Sequence, residues 1–248
     1  MANDKKNNAI PELLSDQSWR NSDLDKRFFE PTYSGAMSLL RRPYSVAFDE
    51  ADIVVAGIPF DNATTFRPGC RLGPRSVRAA SVQLAELQSF PFGFDPFSIL
   101  KVIDSGDFLL NPHNPETIIS DIYKQAISII SSGASLLSIG GDHFVTYPLL
   151  KAHAEIYGPI SLLQFDAHCD TWKSFGELDH GTMFLRAIEE GLIDVESSIQ
   201  VGIRTHNEFD VGIKQITSPQ IHEIGLPAVV ELILNHLKGR KVYLSFDI

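Results

Sequence analysis

The chain has 248 residues, 44% of them hydrophobic, which is enough to bury a core and excludes the composition of a disordered chain. Lys and Arg number 21 against 31 Asp and Glu, and the formal charge of −10 argues against nucleic acid and anionic membranes as partners. The two cysteines, Cys70 and Cys169, indicate neither a disulfide framework nor a Cys-based zinc site. Since no signal segment or run of 18 apolar residues is present, we expect a cytoplasmic protein.

The first 50 residues differ in pattern from the rest. Residues 1 to about 30 are polar and charged, which predicts an arm or a frayed end. Residues 31–49 mix Pro, Gly and aromatic residues without a clear period, which indicates an irregular lead-in. We therefore expect an N-terminal arm and lead-in over residues 1–50 and one main domain over residues 51–248.

Strands and helices alternate in the main domain. Short apolar runs bounded by turn residues predict strands at 52–59, 100–103, 135–139, 160–165, 198–203 and 241–246. Helical periodicity, with Pro near the start or Gly at the end of several segments, predicts helices at 74–87, 115–132, 145–157, 182–190 and 228–237. This alternation is typical of parallel strands joined by right-handed crossovers. It predicts an α/β fold, a three-layer α/β/α sandwich with a mainly parallel sheet.

Three of the predicted strands end in residues that commonly bind metals. In an open parallel sheet, sites form just outside the carboxyl ends of the strands. Side chains that follow different strands can therefore converge there. The potential ligands are His143, Asp166, His168, Asp170 and Asp247. Before His143, the pair Gly140-Gly141 allows a sharp turn.

The segment after the fourth predicted strand is the most informative. Asp166, His168 and Asp170 would share one face of an extended chain, whereas Cys169 would point away and pack as a small side chain. Carboxylates and imidazoles without a thiolate favour Mn²⁺ or another divalent ion that accepts oxygen and nitrogen. The potential ligands exceed the needs of one tetrahedral zinc. Two ions about 3.5–4 Å apart, bridged by Asp166 and Asp247, would use them all and could hold a hydroxide.

These motifs resemble those of the ureohydrolase family, the arginases and agmatinases. The three metal motifs are Gly140–His143, Phe165–Asp170 and Ser245–Ile248, and further agreement comes from Gly57–Asp61, Arg67–Pro74 and Asp179–Phe184. The resemblance covers roughly residues 50–248 and is closest to agmatinases. It implies an arginase-like fold, two Mn²⁺ ions per subunit and hydrolysis of a guanidinium group to urea and an amine. The favoured substrate is agmatine, which would give putrescine and urea.

The resemblance also implies a role for each candidate ligand. His143 and Asp170 would bind one ion and His168 the other, with Asp166 and Asp247 as bridges. In family terms, residues 51–248 would be the catalytic domain. Its partners would be a small cationic guanidino substrate and further copies of the chain, in a trimer or hexamer.

Two further expectations follow from the family pattern. The pattern continues after Ile248 with another aspartate, so we expect the catalytic domain to be truncated, with its C-terminal part, a sixth ligand and a substrate-facing glutamate missing. His180 lies ten residues beyond Asp170 and shortly before a predicted helix. It matches the family's active-site histidine, which would donate a proton to the departing amine or orient the substrate.

Several alternatives stay open at this stage. Another guanidino compound, such as guanidinobutyrate, arginine or guanidine, could be the substrate. A single-zinc deacetylase of related fold is a second possibility, but it would have no use for His143 and Asp170. A non-catalytic, truncated subunit is the third. His153 is expected on the solvated face of its helix, so its replacement by alanine should change little.

Overall fold

The computed structural model describes residues 31–85, 88–173, 176 and 178–248, so the predicted arm at 1–30 lies outside the described residues. The described residues form two compact units. Among the described residues, the first unit lies within 31–57, 74–107 and 132–139, and the second within 58–73, 108–131 and 140–248. None of the described helices has the length and apolar character needed to cross a bilayer.

Strands and helices alternate along the described chain. The strands are β1 Ile53–Ile58, β2 Val102–Asp107, β3 Ser135–Gly140, β4 Ser161–Phe165, β5 Ile199–Ile203, β6 Lys214–Thr217 and β7 Val242–Phe246. The α-helices are α1 Gly73–Ser81, α2 Ile118–Ile130, α3 Thr146–Tyr157, α4 Met183–Glu189, α5 Ser218–Ile224 and α6 Leu226–Leu237. The prediction of an α/β fold is confirmed, and its strands are divided between two sheets.

The sheet of the first unit has the order β2-β1-β3, with β1 parallel to β2. Helix α1 is attached to β2 through Arg78, whose Nε donates to the buried carboxylate of Asp104 at 2.8 Å. Arg78 also pairs with Asp107 at the end of β2. Because Gly57 has no side chain, the helix start at Pro74 can lie against β1, where an added Cβ would be 2.8 Å from the proline Cβ.

The sheet of the second unit has the order β6-β5-β4-β7, and every neighbouring pair is parallel. Apolar side chains of this sheet pack against helix α6. The buried cluster consists of Ile199, Val201 and Ile216 from the strands and Val229 and Ile233 from α6. Burial of each such side chain contributes about 1.5–3 kcal/mol, so this cluster holds the helix on the sheet.

Helices α2, α3 and α4 pack together in this unit, and α3 contacts both α2 and α4. Helix α2 buries one face, which includes Ile118, Ile122, Ala126 and Ile129. These positions are spaced by three or four residues, which is the spacing that places side chains on one side of a helix. The same spacing is the reason that this helix could be predicted from the sequence.

Several predicted elements differ at their ends; the helix predicted at 115–132, for example, begins with a 3₁₀ turn, Pro115–Thr117, before α2. The strand predicted at 100–103 is observed as β2, Val102–Asp107. Its polar second half contains Asp104, whose charge is neutralised by Arg78. A search for apolar runs cannot predict such an ion pair, so the strand was predicted too short. The helix predicted at 74–87 ends as α1 at Ser81 and continues as a 3₁₀ turn, Val82–Leu84, while residues 86–87 lie outside the described residues.

Strand β6 and helix α5 were not predicted from the sequence. Strand β6 is a sheet edge with exposed Lys214 and Gln215, so it lacks an apolar run. Helix α5 begins with a capping box, in which Thr217 and Gln220 each bond to the other's backbone N–H. Together with Pro219 near the helix start, this was a usable sequence signal.

Candidate metal centre

Strands β4 and β7 bring two aspartates to the same edge of their sheet. The two strands are parallel and in register, with Phe165 opposite Phe246. Asp166 and Asp247 each follow one of these phenylalanines, and the backbone N–H of Asp247 still donates to the carbonyl of Phe165 at 3.0 Å. The two carboxylates therefore leave neighbouring strand ends side by side.

A tight turn after β3 positions the next candidate. The backbone N–H of Gly141 donates to Ile58 at 2.9 Å, and that of Asp142 donates to Phe60 at 2.7 Å. An added Cβ on Gly141 would lie 1.8 Å from the carbonyl oxygen of Phe60, so glycine alone fits. The turn then presents His143.

Asp142, next to this histidine, serves the backbone. Its carboxylate accepts from the N–H of Ala63 at 2.9 Å and from that of Phe144 at 3.1 Å. Burial raises the pKa of Asp142 to about 7, although these two N–H groups oppose the rise. Because both oxygens are occupied, this aspartate holds the turn and is not part of the ligand cluster.

The five predicted ligands come together as two overlapping groups of three. His143, Asp166 and Asp170 form one group, and Asp166, His168 and Asp247 form the other. Within each group the ligand atoms lie within 4.8 Å of one another. Asp166 belongs to both groups, whereas Asp247 belongs to the second group alone.

Individual distances explain the overlap. Nδ1 of His143 lies 2.8 Å from Oδ2 of Asp170, 3.2 Å from Oδ2 of Asp166 and 3.8 Å from Oδ2 of Asp247. The other oxygen of Asp166, Oδ1, lies 3.3 Å from Nδ1 of His168. The two oxygens of one carboxylate therefore face different imidazoles.

The residues present fit divalent cations. Nδ1 of His143 and Oδ2 of Asp170 are buried and 2.8 Å apart, but they do not meet with hydrogen-bond geometry, and neither atom has another hydrogen-bond partner among the described residues. An unsatisfied buried polar atom costs about 1–3 kcal/mol, a cost that a cation between the two atoms would remove. The donor set combines carboxylate oxygen with imidazole nitrogen, which suits Mn²⁺ and similar ions.

The electrostatics of the cluster also favour a positive charge at its centre. Burial by itself would lower the pKa of His143, but Asp166 and Asp170 outweigh it and raise this pKa to about 10. Burial raises the pKa of Asp170 despite the opposing effect of His143. Carboxylates that must be buried together are best stabilised by a cation between them.

Ser245 is a site residue that the sequence analysis missed. Its Oγ lies 2.6 Å from Nε2 of His143, on the side of the ring away from the carboxylates. A hydrogen on Nε2 donated to this hydroxyl leaves the Nδ1 lone pair facing the cluster. Ser245 could have been selected from the sequence, because it precedes Asp247 by two residues and alternate residues of an extended chain share a face.

His180 lies in the turn before α4 and is not part of the ligand cluster. Its Nε2 is 3.3 Å from Oγ1 of Thr65, a residue that was not predicted to contribute. Helix α4 packs against the cluster, since the ring of Phe184 meets that of His143 edge-on with centroids 5.5 Å apart. The catalytic role of His180 stays a prediction.

The sequence matches a model of the arginase family over residues 51–248. The chain is 49% identical over 239 residues to the agmatinase of Chromobacterium violaceum, and this match covers 95% of the chain and 74% of that protein. It is 43% identical over 199 residues to the agmatinase of Neisseria meningitidis serogroup C, covering 80% of the chain and 65% of that protein. The chain thus spans roughly two thirds to three quarters of these relatives.

Solved structures agree with the sequence matches. A hypothetical agmatinase from Burkholderia thailandensis superposes with a TM-score of 0.87 at 50% identity, covering 92% of this chain and 73% of that one. The proclavaminate amidino hydrolase of Streptomyces clavuligerus gives a TM-score of 0.80 at 32% identity, covering 88% and 75%. These likenesses confirm the arginase-like fold and the prediction of an agmatinase-like ureohydrolase, and the chain belongs to the arginase family.

Proposed function

We propose that this protein uses two Mn²⁺ ions to hydrolyse a guanidinium compound to urea and an amine, with agmatine as the substrate. The observation that carries the proposal is the pair of ligand groups that share Asp166. A second support is that relatives at 49% and 43% identity bear the name agmatinase.

Each cluster residue has a proposed task. His143 and Asp170 bind one ion and His168 binds the other. Asp166 would bridge the ions, since its two oxygens face the two histidines. Asp247 would be the second bridge, because it groups with His168 and its Oδ2 lies 3.8 Å from Nδ1 of His143. The carboxylate of Asp166 would therefore help to hold both ions.

The chemistry follows from the weakness of the substrate as an electrophile. When bound, two divalent ions lower the pKa of a water molecule towards neutrality and so supply a nucleophile at ordinary pH. The protein's carboxylates attract and orient the positively charged guanidinium group. After water adds to the guanidinium carbon, a C–N bond breaks and the amine leaves. His180 donates a proton to that nitrogen, and Thr65 restrains its imidazole through the Nε2 contact.

Urea release across a panel of guanidines tests this function. The protein is loaded with Mn²⁺, and kcat/KM is measured for agmatine, guanidinobutyrate, arginine and guanidine, with the metal content of the same samples. We expect two Mn²⁺ per chain and the highest kcat/KM with agmatine. A higher kcat/KM with another guanidine would identify that compound, and not agmatine, as the substrate. One tight zinc per chain would favour a deacetylase, and two Mn²⁺ without urea release would favour a non-catalytic subunit.

Location, pathway and assembly are proposed with the function. A urea-releasing reaction on agmatine would place the protein in polyamine synthesis in the cytoplasm. The protein would act as a homo-oligomer, a trimer or hexamer, with residues 51–248 as its catalytic domain. Light scattering of the purified protein measures the assembly directly, and a monomer at working concentration would contradict this part.

A further inference from the structure

Three glutamines lie in one row across the sheet of the second unit. Gln164 in β4 pairs in register with Gln200 in β5, and Gln200 pairs with Gln215 in β6. Residues in register on adjacent strands point to the same face, so the three side chains are neighbours. Gln164 and Gln200 are fully buried, whereas Gln215 is exposed at the sheet edge.

The three amides form a continuous chain of hydrogen bonds. Nε2 of Gln215 donates to Oε1 of Gln200 at 2.8 Å, and Nε2 of Gln200 donates to Oε1 of Gln164 at 2.6 Å. Nε2 of Gln164 then donates to Oδ2 of Asp166 at 2.8 Å. Because a carboxylate only accepts, the last amide must present its nitrogen, and this fixes the direction of the whole chain.

Each buried amide uses its second hydrogen on the segment between the ligands. Gln164 donates to the carbonyl of His168 at 3.1 Å, and Gln200 donates to the carbonyl of Cys169 at 2.7 Å. The next residue, Asp170, has a positive φ of 51°, which is uncommon for a residue other than glycine. This part of the backbone is not a regular strand, and side-chain amides supply the partners that a neighbouring strand would otherwise provide.

We propose that this glutamine ladder, Gln164, Gln200 and Gln215, positions the metal centre. Through Gln164, the ladder holds Oδ2 of Asp166, the oxygen that faces His143. Through the bonds to the carbonyls of His168 and Cys169, it also fixes the path of the backbone between the ligands. Aligned amides polarise one another, so the N–H groups that meet the carboxylate are stronger donors than an isolated amide. The glutamines act through Asp166 and are positioning residues. The inference rests on the proposed metal function.

Leucine substitutions that interrupt the ladder test the inference. Metal-free Gln164→Leu, Gln200→Leu and Gln215→Leu proteins are titrated with Mn²⁺ by calorimetry. The electron paramagnetic resonance signature of the coupled Mn²⁺ pair is recorded on the same samples. We expect affinity to fall about 10–100-fold for Gln164→Leu, as for other residues that orient metal ligands, and about tenfold for Gln200→Leu. Gln215→Leu, at the exposed end, should change affinity by less than about threefold.

Ser161→Ala is the matched control. Ser161 lies in the same strand as Gln164, three residues earlier. In the unmodified protein, its Oγ forms a buried 2.6 Å hydrogen bond with Oγ of Ser197. This variant should lower the melting temperature of the metal-free protein without changing Mn²⁺ affinity or the coupled signal. A purely structural role for the glutamines would make their variants behave in the same way.

The outcomes separate the two proposals. If the unmodified protein binds no pair of Mn²⁺ ions, the proposed function fails. If it binds the pair and Gln164→Leu loses no more affinity than Ser161→Ala, the ladder inference is overturned. If Gln164→Leu does not fold, Gln200→Leu decides by the same comparison, and Gln200→Met replaces it should that variant also fail to fold.

Discussion

At the scale of single residues, the site depends on which atom of each side chain faces the cluster. Asp166 directs one oxygen to each imidazole, and Ser245 holds His143 so that Nδ1 faces the carboxylates. His168 contributes to one of the two ligand groups, whereas Asp166 contributes to both. These differences predict unequal effects of substitution.

Asp166→Asn should bind neither Mn²⁺ ion tightly, because it removes the negative charge of the carboxylate that both ions would share and replaces one of its two donor oxygens with an amide nitrogen. His168→Ala should retain one ion, and both variants should lose nearly all urea release. Metal content after dialysis provides the measurement. The control is His153→Ala, which should keep both ions. Equal metal loss in all three variants would mean that the centre lies elsewhere.

His180→Ala should lower kcat by about 10²–10⁴-fold, the usual contribution of a positioned acid, with Mn²⁺ content unchanged. Steady-state kinetics with agmatine measures this effect. Thr65→Ala, which removes only the 3.3 Å contact to the imidazole, should have a smaller effect. Full activity of His180→Ala would assign proton donation to another group.

At the scale of elements, helix α3 contacts strand β7 through His153, a residue whose environment was predicted wrongly from the sequence. His153 was expected on a solvated face. It is partly buried, with Nδ1 2.8 Å from the carbonyl oxygen of Leu149 and its ring edge-on to Tyr243 at 5.2 Å. Burial lowers the pKa of His153, although the contact to Leu149 opposes this.

This shift predicts a pH dependence of stability. The unfolded chain takes up the proton of His153 near its ordinary pKa of about 6.5, and the folded protein takes it up only at lower pH. The free energy of unfolding should therefore fall as pH decreases through about 6.5. Urea denaturation of metal-free protein at several pH values should show a smaller fall for His153→Phe. An identical pH dependence of the two proteins would contradict this assignment.

The turn after β3 gives a second prediction at this scale. Gly141→Ala places a Cβ against the carbonyl oxygen of Phe60 and should destabilise the protein by about 1–3 kcal/mol, as overpacking does. It should also weaken Mn²⁺ binding, since the turn carries His143. Gly176→Ala is the control, because no heavy atom of the described residues, its chain neighbours apart, lies within 4 Å of an added Cβ there. Denaturant melts and metal titration of the two variants provide the comparison.

At the scale of the whole molecule, bound metal and stability are linked. Ions that bind the folded state alone stabilise it by mass action, by about 2.7 kcal/mol when the free metal is at 100 times Kd. We expect the melting temperature to fall with a chelator and to rise with added Mn²⁺. Asp166→Asn should show little response to either treatment. A melting temperature of the unmodified protein that is independent of Mn²⁺ would argue against a metal centre.

Local patterns in the sequence determined much of this protein. The apolar face of α2 follows the period of a helix, and β1 is a short, continuous apolar run of the kind that forms a buried strand. These patterns give the α/β alternation. Asp166, His168 and Asp170 could be selected because alternate residues of an extended chain share a face and strand ends are where sites form. Each of these inferences needs only residues close together in the chain.

Only the tertiary structure decided which residues of distant segments form hydrogen bonds, because these pairs depend on the register between strands. The hydrogen bond that Gln200 donates to Gln164 and the one between His143 and Ser245 join residues 36 and 102 positions apart, and no local period predicts these pairs. The same holds for β6, which belongs to the sheet because β5 pairs with it and not because its own residues are apolar. Sequence alone determined most of the elements and the candidate ligands. The tertiary structure decided how buried polar groups find partners, because their partners come from other strands.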